Sequence, residues 1–511
     1  MMRRIVTIGS LGMAAVLVQA TPAASEPAPV AVSSTTVDPF GACTADYPEL
    51  QPGTYYPNSE VEPFLAVNPT NEQNIVGVWQ QDRWSNAESR GNVVATSFDG
   101  GETWTTVTST KTSLCTGGTE ANGGAMFRAT NPWLTFGPDG TAYLISLGIP
   151  DFNQSVVYVN RSSDGGRTWS DAAPLQVEAD NAKNDKPTIT ADPANAGNVY
   201  AVWTRNEFPQ EQAAPLAEEN TAASRGPAWF SRTTDGGRTW QTARQIYDPG
   251  AQNGTLGHQI AVLPNNDRFH GELVNVFDVS YGYTNTQGLR GVHVAAIRSR
   301  DKGATWSSST RIAQALPAPI LDPLTGTRVR TGAYIPDIAV DPRSGMLYAV
   351  WQDARFSSGQ YNDIALSMST DGGLRWTAPV RVNLTPAAAE PSRRHAFTPS
   401  VHVAADGTVG VGYYDLRYND SDSDAGQPLE TDRFLTRCAH PSASAPGLCA
   451  SGWTETRLTP ASFNLRAAPN SVGLFLGGYQ GLASAGSTFL SLFAQANNAE
   501  DPATVYFAAV P

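Results

Sequence analysis

The 511-residue chain carries 34 Lys and Arg against 47 Asp and Glu, a formal net charge of −13 at pH 7. No basic run stands out, which argues against nucleic acid and anionic membranes as partners. The 46 Gly and 36 Pro lie at regular turn positions between apolar runs, and this pattern indicates an all-β protein rather than a disordered one.

The N-terminus has the three parts of a secretory signal peptide. Arg3 and Arg4 are basic, residues 5–18 are apolar, and small residues follow through Ala20 and Ala24. The apolar run is shorter than the roughly 20 residues that span a bilayer. We therefore expect a signal peptide over residues 1–24, cleaved after Ala20 or Ala24, and a secreted protein without a membrane anchor.

Four cysteines fit an oxidising compartment. Cys438 and Cys449 flank a short loop rich in Pro, Ser and Gly, so we expect them to pair locally. Cys43 and Cys115 would then form a second bridge, which ties the N-terminal segment to the loop after the first repeat.

An octapeptide of the form Ser/Thr-x-Asp-x-Gly-x-Thr-Trp, with Arg for Thr in the last copy, recurs five times. Its aspartates are Asp99, Asp164, Asp235, Asp301 and Asp371. The Asp carboxylate can accept hydrogen bonds from turn N–H groups, Gly supplies a positive φ, and Trp buries apolar area between sheets. Repetition at nearly constant spacing predicts a β-propeller, with the octapeptides as structural turns rather than catalytic ones.

Each octapeptide joins the third and fourth strands of a four-stranded blade. Two further blades without the octapeptide follow. In the first, the Cys438–Cys449 hairpin replaces the octapeptide turn, and the second has only three strands. The missing strand is expected from residues 43–57. We therefore predict a single propeller domain over residues 59–511 with seven blades, closed by an N-terminal segment of residues 25–58; six blades plus an extension is the alternative.

A second repeat marks the ends of the second strands, on the face away from the octapeptides. Residues 79–84, 351–356 and 413–418 align, and residues 203–208 are a charge-altered copy. Two interpretations remain open: a ring of arginines that grips an anionic sugar through bidentate bonds, or ion pairs that brace the blades. The residues concerned are Arg83, Trp84, Asp353, Arg355, Asp415 and Arg417.

Other polar residues are placed on the same face. They are Arg128, Asp185, Lys186, Arg393, Arg394, His395 and Tyr479. Asp420, Asp422 and Asp424 have the alternating oxygen spacing that suits Ca²⁺, although a solvated acidic loop is the competing interpretation. No cofactor is required by any motif in the chain.

The octapeptide resembles the Asp box, and residues 335–341, 414–417 and 478–482 are similar to segments of bacterial sialidase-like Asp-box (BNR-repeat) propellers. This resemblance implies an arginine triad on the substrate carboxylate, a tyrosine nucleophile at the place of Tyr479, and an aspartate acid/base, for which Asp353 and Asp415 are the candidates. The segment that would supply the first arginine reads Val61-Glu62-Pro63 and has none.

Three functions remain open at this stage. The first is an exo-acting glycoside hydrolase for an anionic sugar, with Arg83, Arg355, Arg394, Arg417 and Trp84 as binding residues. The second is a non-catalytic extracellular propeller that binds glycan or protein, and the third is a polysaccharide lyase or another propeller enzyme. A monomer is expected.

Overall fold

The computed structural model describes residues 28–33, 38–151, 154–179, 181–208, 225–282, 288–386, 393–419 and 427–511. The expected signal peptide, residues 1–24, lies outside them. Strands dominate, and short 3-10 helices occupy some connections: Pro48–Leu50, Leu114–Thr116, Glu120–Asn122, Arg355–Ser357, Pro446–Leu448 and Leu465–Ala467. Across the described ranges, no helix has the length and apolarity to cross a membrane.

The strands group into sheets that are antiparallel, except for the parallel pairing of β19 with β29. In chain order they are β1 (Val30–Ala31); β2–β5 (Glu60–Val67, Ile75–Arg83, Ser89–Ser97, Thr105–Val107); β6–β9 (Arg128–Phe136, Ala142–Ile149, Gln154–Ser162, Ala173–Ala179); β10–β13 (Ala182–Ala191, Val199–Glu207, Ala228–Thr233, Arg244–Tyr247); β14–β17 (Asn253–Val262, Leu273–Tyr281, Gly291–Ser299, Thr310–Ala315); β18 and β19 (Ile320–Leu321, Arg328–Arg330); β20–β23 (Asp337–Val340, Leu347–Asp353, Asp363–Ser369, Val380–Arg381); β24–β28 (Ala396–Val403, Val409–Asp415, Glu430–Cys438, Thr454–Arg457, Phe463–Asn464); β29 (Leu474–Phe475); and β30–β32 (Gly481–Ala485, Thr488–Gln495, Thr504–Val510).

The sheets are arranged around a common axis. The first strands β2, β6, β10, β14, β20, β24 and β30 contact one another in that order, and β30 contacts β2. The first two sheets are also joined by one residue pair, Ser89 with Ala129. A closed succession of four-stranded antiparallel sheets is the architecture of a β-propeller.

The N-terminal strand completes the last sheet. Val30 and Ala31 pair with Phe507 and Tyr506 of β32. The expected range for this strand, residues 43–57, is therefore wrong: those residues run along the first sheet instead, where the backbone N–H of Tyr56 donates to the carbonyl of Arg83.

The repeated octapeptides have the hydrogen bonds that the sequence predicts. In the first copy, the Asp99 carboxylate accepts the Thr103 backbone N–H at 2.9 Å and the Ser97 hydroxyl at 2.7 Å. Hydrogen bonds from Thr103 and Ser97 lower the pKa of Asp99 to about 2. The other four copies have the same Asp-to-backbone bond.

Each turn is also held by the preceding sheet. The Gly165 carbonyl accepts the Thr96 hydroxyl at 2.7 Å, and the Gly236 carbonyl accepts the Arg161 guanidinium at 2.8 Å. Trp306 packs edge-on against Phe230 of the preceding sheet, with ring centroids 5.5 Å apart. The octapeptides therefore brace neighbouring sheets, as the sequence predicts.

Both expected disulfides are confirmed. Cys43 pairs with Cys115, and Cys438 pairs with Cys449. The second bridge closes the hairpin between β26 and β27, in the place where other sheets have the octapeptide.

The octapeptide tryptophans differ in burial, and this difference predicts different contributions to stability. Trp169 is 4% exposed within the apolar layer between the first two sheets, whereas Trp240 is half-buried. Trp169→Ala should lower the free energy of unfolding by about 3–5 kcal/mol, the range for large aromatic truncations in cores. Trp240→Ala is the matched control and should cost less; equal losses in urea denaturation would contradict this packing.

Candidate functional site

In three of its four copies, the second repeat forms an ion pair within its own sheet. Asp353, which ends β21, binds Arg355 in a bidentate pair, with Oδ1–Nε at 2.9 Å and Oδ2–Nη2 at 2.7 Å. Asp353 Oδ2 also accepts the Trp351 indole N–H at 2.7 Å. In the first sheet Gln81 replaces this Asp and accepts the Trp79 indole N–H at 2.9 Å.

The charge-altered copy preserves the pair with its polarity reversed. Arg205 stands where Asp353 stands in its sheet, and Glu207 stands where Arg355 does; the two side chains are 2.5 Å apart. Because the pair survives the exchange of signs, its function is to link the two positions. A site for an anionic sugar would instead need the positive charge at a fixed place.

The third copy is the most buried. Arg417, with 7% of its side chain exposed, binds Asp415 at 2.8 Å and also pairs with Glu455. Burial raises the pKa of Asp415, while its bonds with Arg417 and Thr385 oppose this shift. Burial lowers the pKa of Arg417, but the two carboxylates more than offset it, so that this pKa lies above its ordinary value.

The remaining arginines and Trp84 are also engaged by the protein. Arg83 donates to Ser471 Oγ at 3.1 Å and lies over the Phe475 ring at 4.8 Å from its centroid. Arg394 lies over the Tyr361 ring at 4.1 Å. Trp84 is 1% exposed and lies beneath the Arg128 guanidinium at 4.4 Å. The expected stacking of a sugar on Trp84 is therefore wrong for this conformation, because the ring has no accessible face.

Tyr479 lies among apolar side chains at the opening of the last sheet. Its hydroxyl donates to the Pro132 carbonyl at 2.8 Å, and its ring packs edge-on against Trp133. Burial and then the Glu62 charge raise the pKa of Tyr479 well above its ordinary value. No carboxylate oxygen accepts its proton, so the tyrosine is placed as a packing residue with a satisfied hydroxyl.

Near the axis, three successive sheets contribute polar side chains that the repeats do not share. Glu62, Asn131 and Lys186 stand at register shifts near the start of β2, β6 and β10. All three have left-handed backbones, with φ of 53°, 47° and 47°. The same left-handed residue at a register shift recurs as Gly257 in β14 and Thr398 in β24. The backbone conformation therefore belongs to the repeated fold, and the polar side chains distinguish these three positions.

These side chains contact one another. Lys186 Nζ lies 2.5 Å from Glu62 Oε1 and 3.1 Å from Asn131 Oδ1. Asn131 Nδ2 donates to Asp185 Oδ1 at 3.4 Å. The pair Glu62–Lys186 is buried, with side-chain exposures of 0% and 9%. We call Glu62, Asn131, Asp185 and Lys186, together with Asp278 described below, the axial cluster.

Asp278 on β15 completes the axial cluster. It is 4% exposed, and its Oδ2 has no hydrogen-bond partner. Burial and then the charge of Asp185 raise the pKa of Asp278 well above its ordinary value. Asp278 is therefore a buried carboxyl group with a raised pKa, close enough to a second carboxyl group, Asp185, to feel its charge.

Sequence reasoning named Asp185 and Lys186 but missed Glu62, Asn131 and Asp278. A signal was present for two of them: Glu62, Asn131 and Lys186 each precede a proline at the start of a first strand. Asp278 had no signal, because only burial distinguishes it from any other aspartate in a strand.

The structure contains one candidate group of metal-binding side chains among the residues it describes, Cys43, Asp46 and Cys115. Both cysteines are in the disulfide and cannot serve as thiolate ligands. Asp420, Asp422 and Asp424, the calcium candidates, lie outside the described residues.

Comparisons with known proteins give solved structures only. No family model and no curated protein matches the chain. The α-L-arabinanase of Penicillium chrysogenum with arabinobiose is 15% identical at a TM-score of 0.46, over 76% of this chain and 94% of that one. The α-L-arabinofuranosidase of Fusarium graminearum with an iminosugar inhibitor is 12% identical at 0.45, over 95% and 98%.

A leech intramolecular trans-sialidase with 2,7-anhydro-Neu5Ac is 11% identical at a TM-score of 0.42, over 88% of this chain and 68% of that one. All three scores lie below 0.5, so none of these activities is transferred to this chain by similarity.

The buried Arg417 pair predicts a large effect on stability. Arg417→Ala leaves Asp415 and Glu455 without their cation and should lower the free energy of unfolding by about 3–5 kcal/mol. The matched control is Arg375→Ala, whose pair with Asp371 is 90% exposed on the arginine side; surface pairs contribute at most about 1 kcal/mol. Similar losses of unfolding free energy in the two variants, measured by chemical denaturation, would show that the buried Asp–Arg pair does not stabilise the fold.

Proposed function

We propose that the chain is a secreted, seven-bladed propeller with glycoside hydrolase activity, and that the reaction takes place at the axial cluster. The cycle of first-strand contacts supports the blade count. Two disulfides support export, since such bonds persist in oxidising compartments. The signal peptide and the monomeric state belong to the same proposal.

One observation supports the catalytic assignment: the buried Asp278 has an unpartnered Oδ2 and a raised pKa, and it lies near the carboxyl group of Asp185 within the axial cluster. Glycoside hydrolysis needs two carboxyl groups with different protonation states. Repeated pairs such as Asp353–Arg355 do not meet this need, because the carboxylate is bound by the guanidinium through two hydrogen bonds.

The roles follow from the environments of the two groups. Asp278 donates its proton to the departing glycosidic oxygen, and the bond from this oxygen to the anomeric carbon breaks. Asp185, oriented by Asn131, takes a proton from the water that attacks the same carbon. The products are a free reducing sugar and an alcohol, and Asp278 regains its proton from solvent.

The charge of the axial cluster favours a neutral sugar. Lys186 is paired with Glu62, and Asp185 adds a negative charge. Arg355 and Arg417 are bound by protein carboxylates, so they do not support recognition of an anionic sugar. Tyr479, Asp353 and Asp415 are accordingly not proposed as catalytic residues.

A non-catalytic glycan- or protein-binding propeller is the second candidate. The short sheet of β18, β19 and β29 favours this candidate. Arg83 and Arg330 both lie over the Phe475 ring of this sheet, so these side chains pack against one another. This candidate predicts binding without release of sugar, and equal binding by wild type and Asp278→Asn.

The hydrolase proposal predicts loss of sugar release in Asp278→Asn and in Asp185→Asn. Wild type is incubated with neutral and acidic oligosaccharides, and reducing ends are measured. General acid–base catalysis contributes about 10²–10⁴-fold, so each variant should lose at least a hundredfold. Asp278→Asn should recover on 2,4-dinitrophenyl glycosides of the same sugar, whose leaving group needs no proton.

Asp363→Asn is the matched control for this experiment. Asp363 is also buried with an unpartnered Oδ2, but it lies on a third strand and outside the axial cluster. It should retain wild-type activity. Full activity of Asp278→Asn on natural substrates, or no turnover by wild type on any member of the panel, would contradict the proposal.

A further inference from the structure

Residues 38–58, which we call the strap, run along the edge of the first sheet and are tethered by the Cys43–Cys115 disulfide. Thr54 is bonded to Ser85 in both directions, and the Tyr55 ring lies 5.4 Å from the Trp84 ring. The strap is therefore docked on the loop that follows β3, at the face that carries the second repeat.

The strap also fixes the cover of Trp84. Arg128 Nε donates to Gln51 Oε1 at 2.7 Å, and Arg128 Nη2 donates to the Pro52 carbonyl at 2.8 Å. The guanidinium held in this way lies over the Trp84 ring. If the strap moved away, Arg128 would lose these two acceptors and keep those on Asn86 and Ala87, at 2.9 and 3.1 Å. Trp84 would lose its contact with Tyr55, and the guanidinium over it would be held from one side only.

Acidic groups outnumber cations where the strap meets the first sheet. The groups that face one another there are Asp38, Asp46 and Tyr55 of the strap, Glu60 of β2, Asp82 of β3, Arg90 of β4 and Asp501 before β32. Arg90 is committed to Asp46 through two bonds, Nε–Oδ2 at 2.7 Å and Nη2–Oδ1 at 2.8 Å. Its distance to Asp82 is 3.8 Å.

The Tyr55 hydroxyl lies within hydrogen-bond distance of two carboxylates. Tyr55 Oη lies 2.8 Å from Asp82 Oδ2 and 3.3 Å from Asp38 Oδ2. The phenol has a single proton and can donate to one oxygen at a time. A second proton, shared by these carboxyl groups, would satisfy the other contact and remove the repulsion between the buried Asp82 and the half-buried Asp38.

We propose that the strap is a proton-controlled cover: a proton held between Asp82 and Asp38 docks it, and loss of this proton releases it and exposes Trp84 on the face that carries the axial cluster. The exposed indole would offer a stacking surface for a sugar ring. The device is independent of catalysis, because none of its groups belongs to the axial cluster.

The direction of the pH effect follows from the docked state. Burial, and then the Asp38 charge, raise the pKa of Asp82 from its ordinary value to about 7. In the docked form, Asp82 therefore keeps its proton over a pH range in which the released form has lost it. Docking is strongest at acidic pH, weakens as the pH rises towards 7, and is constant above that value.

Hydrogen exchange of the full-length oxidised protein tests this device. Protection of peptides within residues 44–58, corrected for the intrinsic effect of pH, should fall between pH 5 and 7 by up to about tenfold per pH unit and then level off. Acrylamide quenching of Trp84, measured as wild type minus Trp84→Phe, should increase over the same range.

Asp82→Asn mimics the protonated acid and should flatten the pH dependence. Burial raises the pKa of Glu60 as well, so any residual slope should vanish in Glu60→Gln/Asp82→Asn. Asp38→Asn is the second variant if Asp82→Asn does not fold. Asp406→Asn, in an exposed turn, is the control and should behave as wild type. A wild-type strap whose protection is independent of pH, or an unchanged slope in both Asn variants, would overturn the proposal.

Discussion

Contact between neighbouring first strands is the constraint on which the rest of the structure depends. Every sheet is narrow, and its apolar side chains are buried only against the sheets on either side. A sheet of this kind cannot bury its own apolar surface, so each sheet becomes stable only when the cycle of sheets closes. Pairing of Val30 and Ala31 with β32 removes the last open edge.

This constraint explains what is repeated and what is not. The octapeptide turns and their tryptophans recur because each junction between sheets needs the same brace. The Asp–Arg pairs and the reversed pair Arg205–Glu207 instead link two positions within one sheet. Chemistry needs one arrangement only. The axial cluster meets this condition, since Glu62, Asn131 and Lys186 occupy equivalent positions with three different side chains.

Much of the fold was readable from the sequence because the repeats are local: a fixed Asp-to-backbone bond and a buried Trp leave a pattern of a few residues. Both disulfides could also be predicted, because Cys438 and Cys449 flank a short loop and leave Cys43 and Cys115 as the second pair. The pairing of Asp353 with Arg355 was one of two open interpretations. Asp278 and the burial of Trp84 depend on contacts between distant segments, which no local pattern records.

The proposed mechanism requires that sugar binds at the axial cluster and not on the repeated Asp–Arg pairs. A crystal structure with a bound neutral oligosaccharide, obtained with Asp278→Asn to prevent turnover, tests it most directly. We expect a glycosidic oxygen within hydrogen-bond distance of residue 278 and sugar hydroxyls on Asp185 and Lys186. A sugar seated on the guanidinium groups of Arg355 and Arg417, with no sugar at the axial cluster, would contradict the claim.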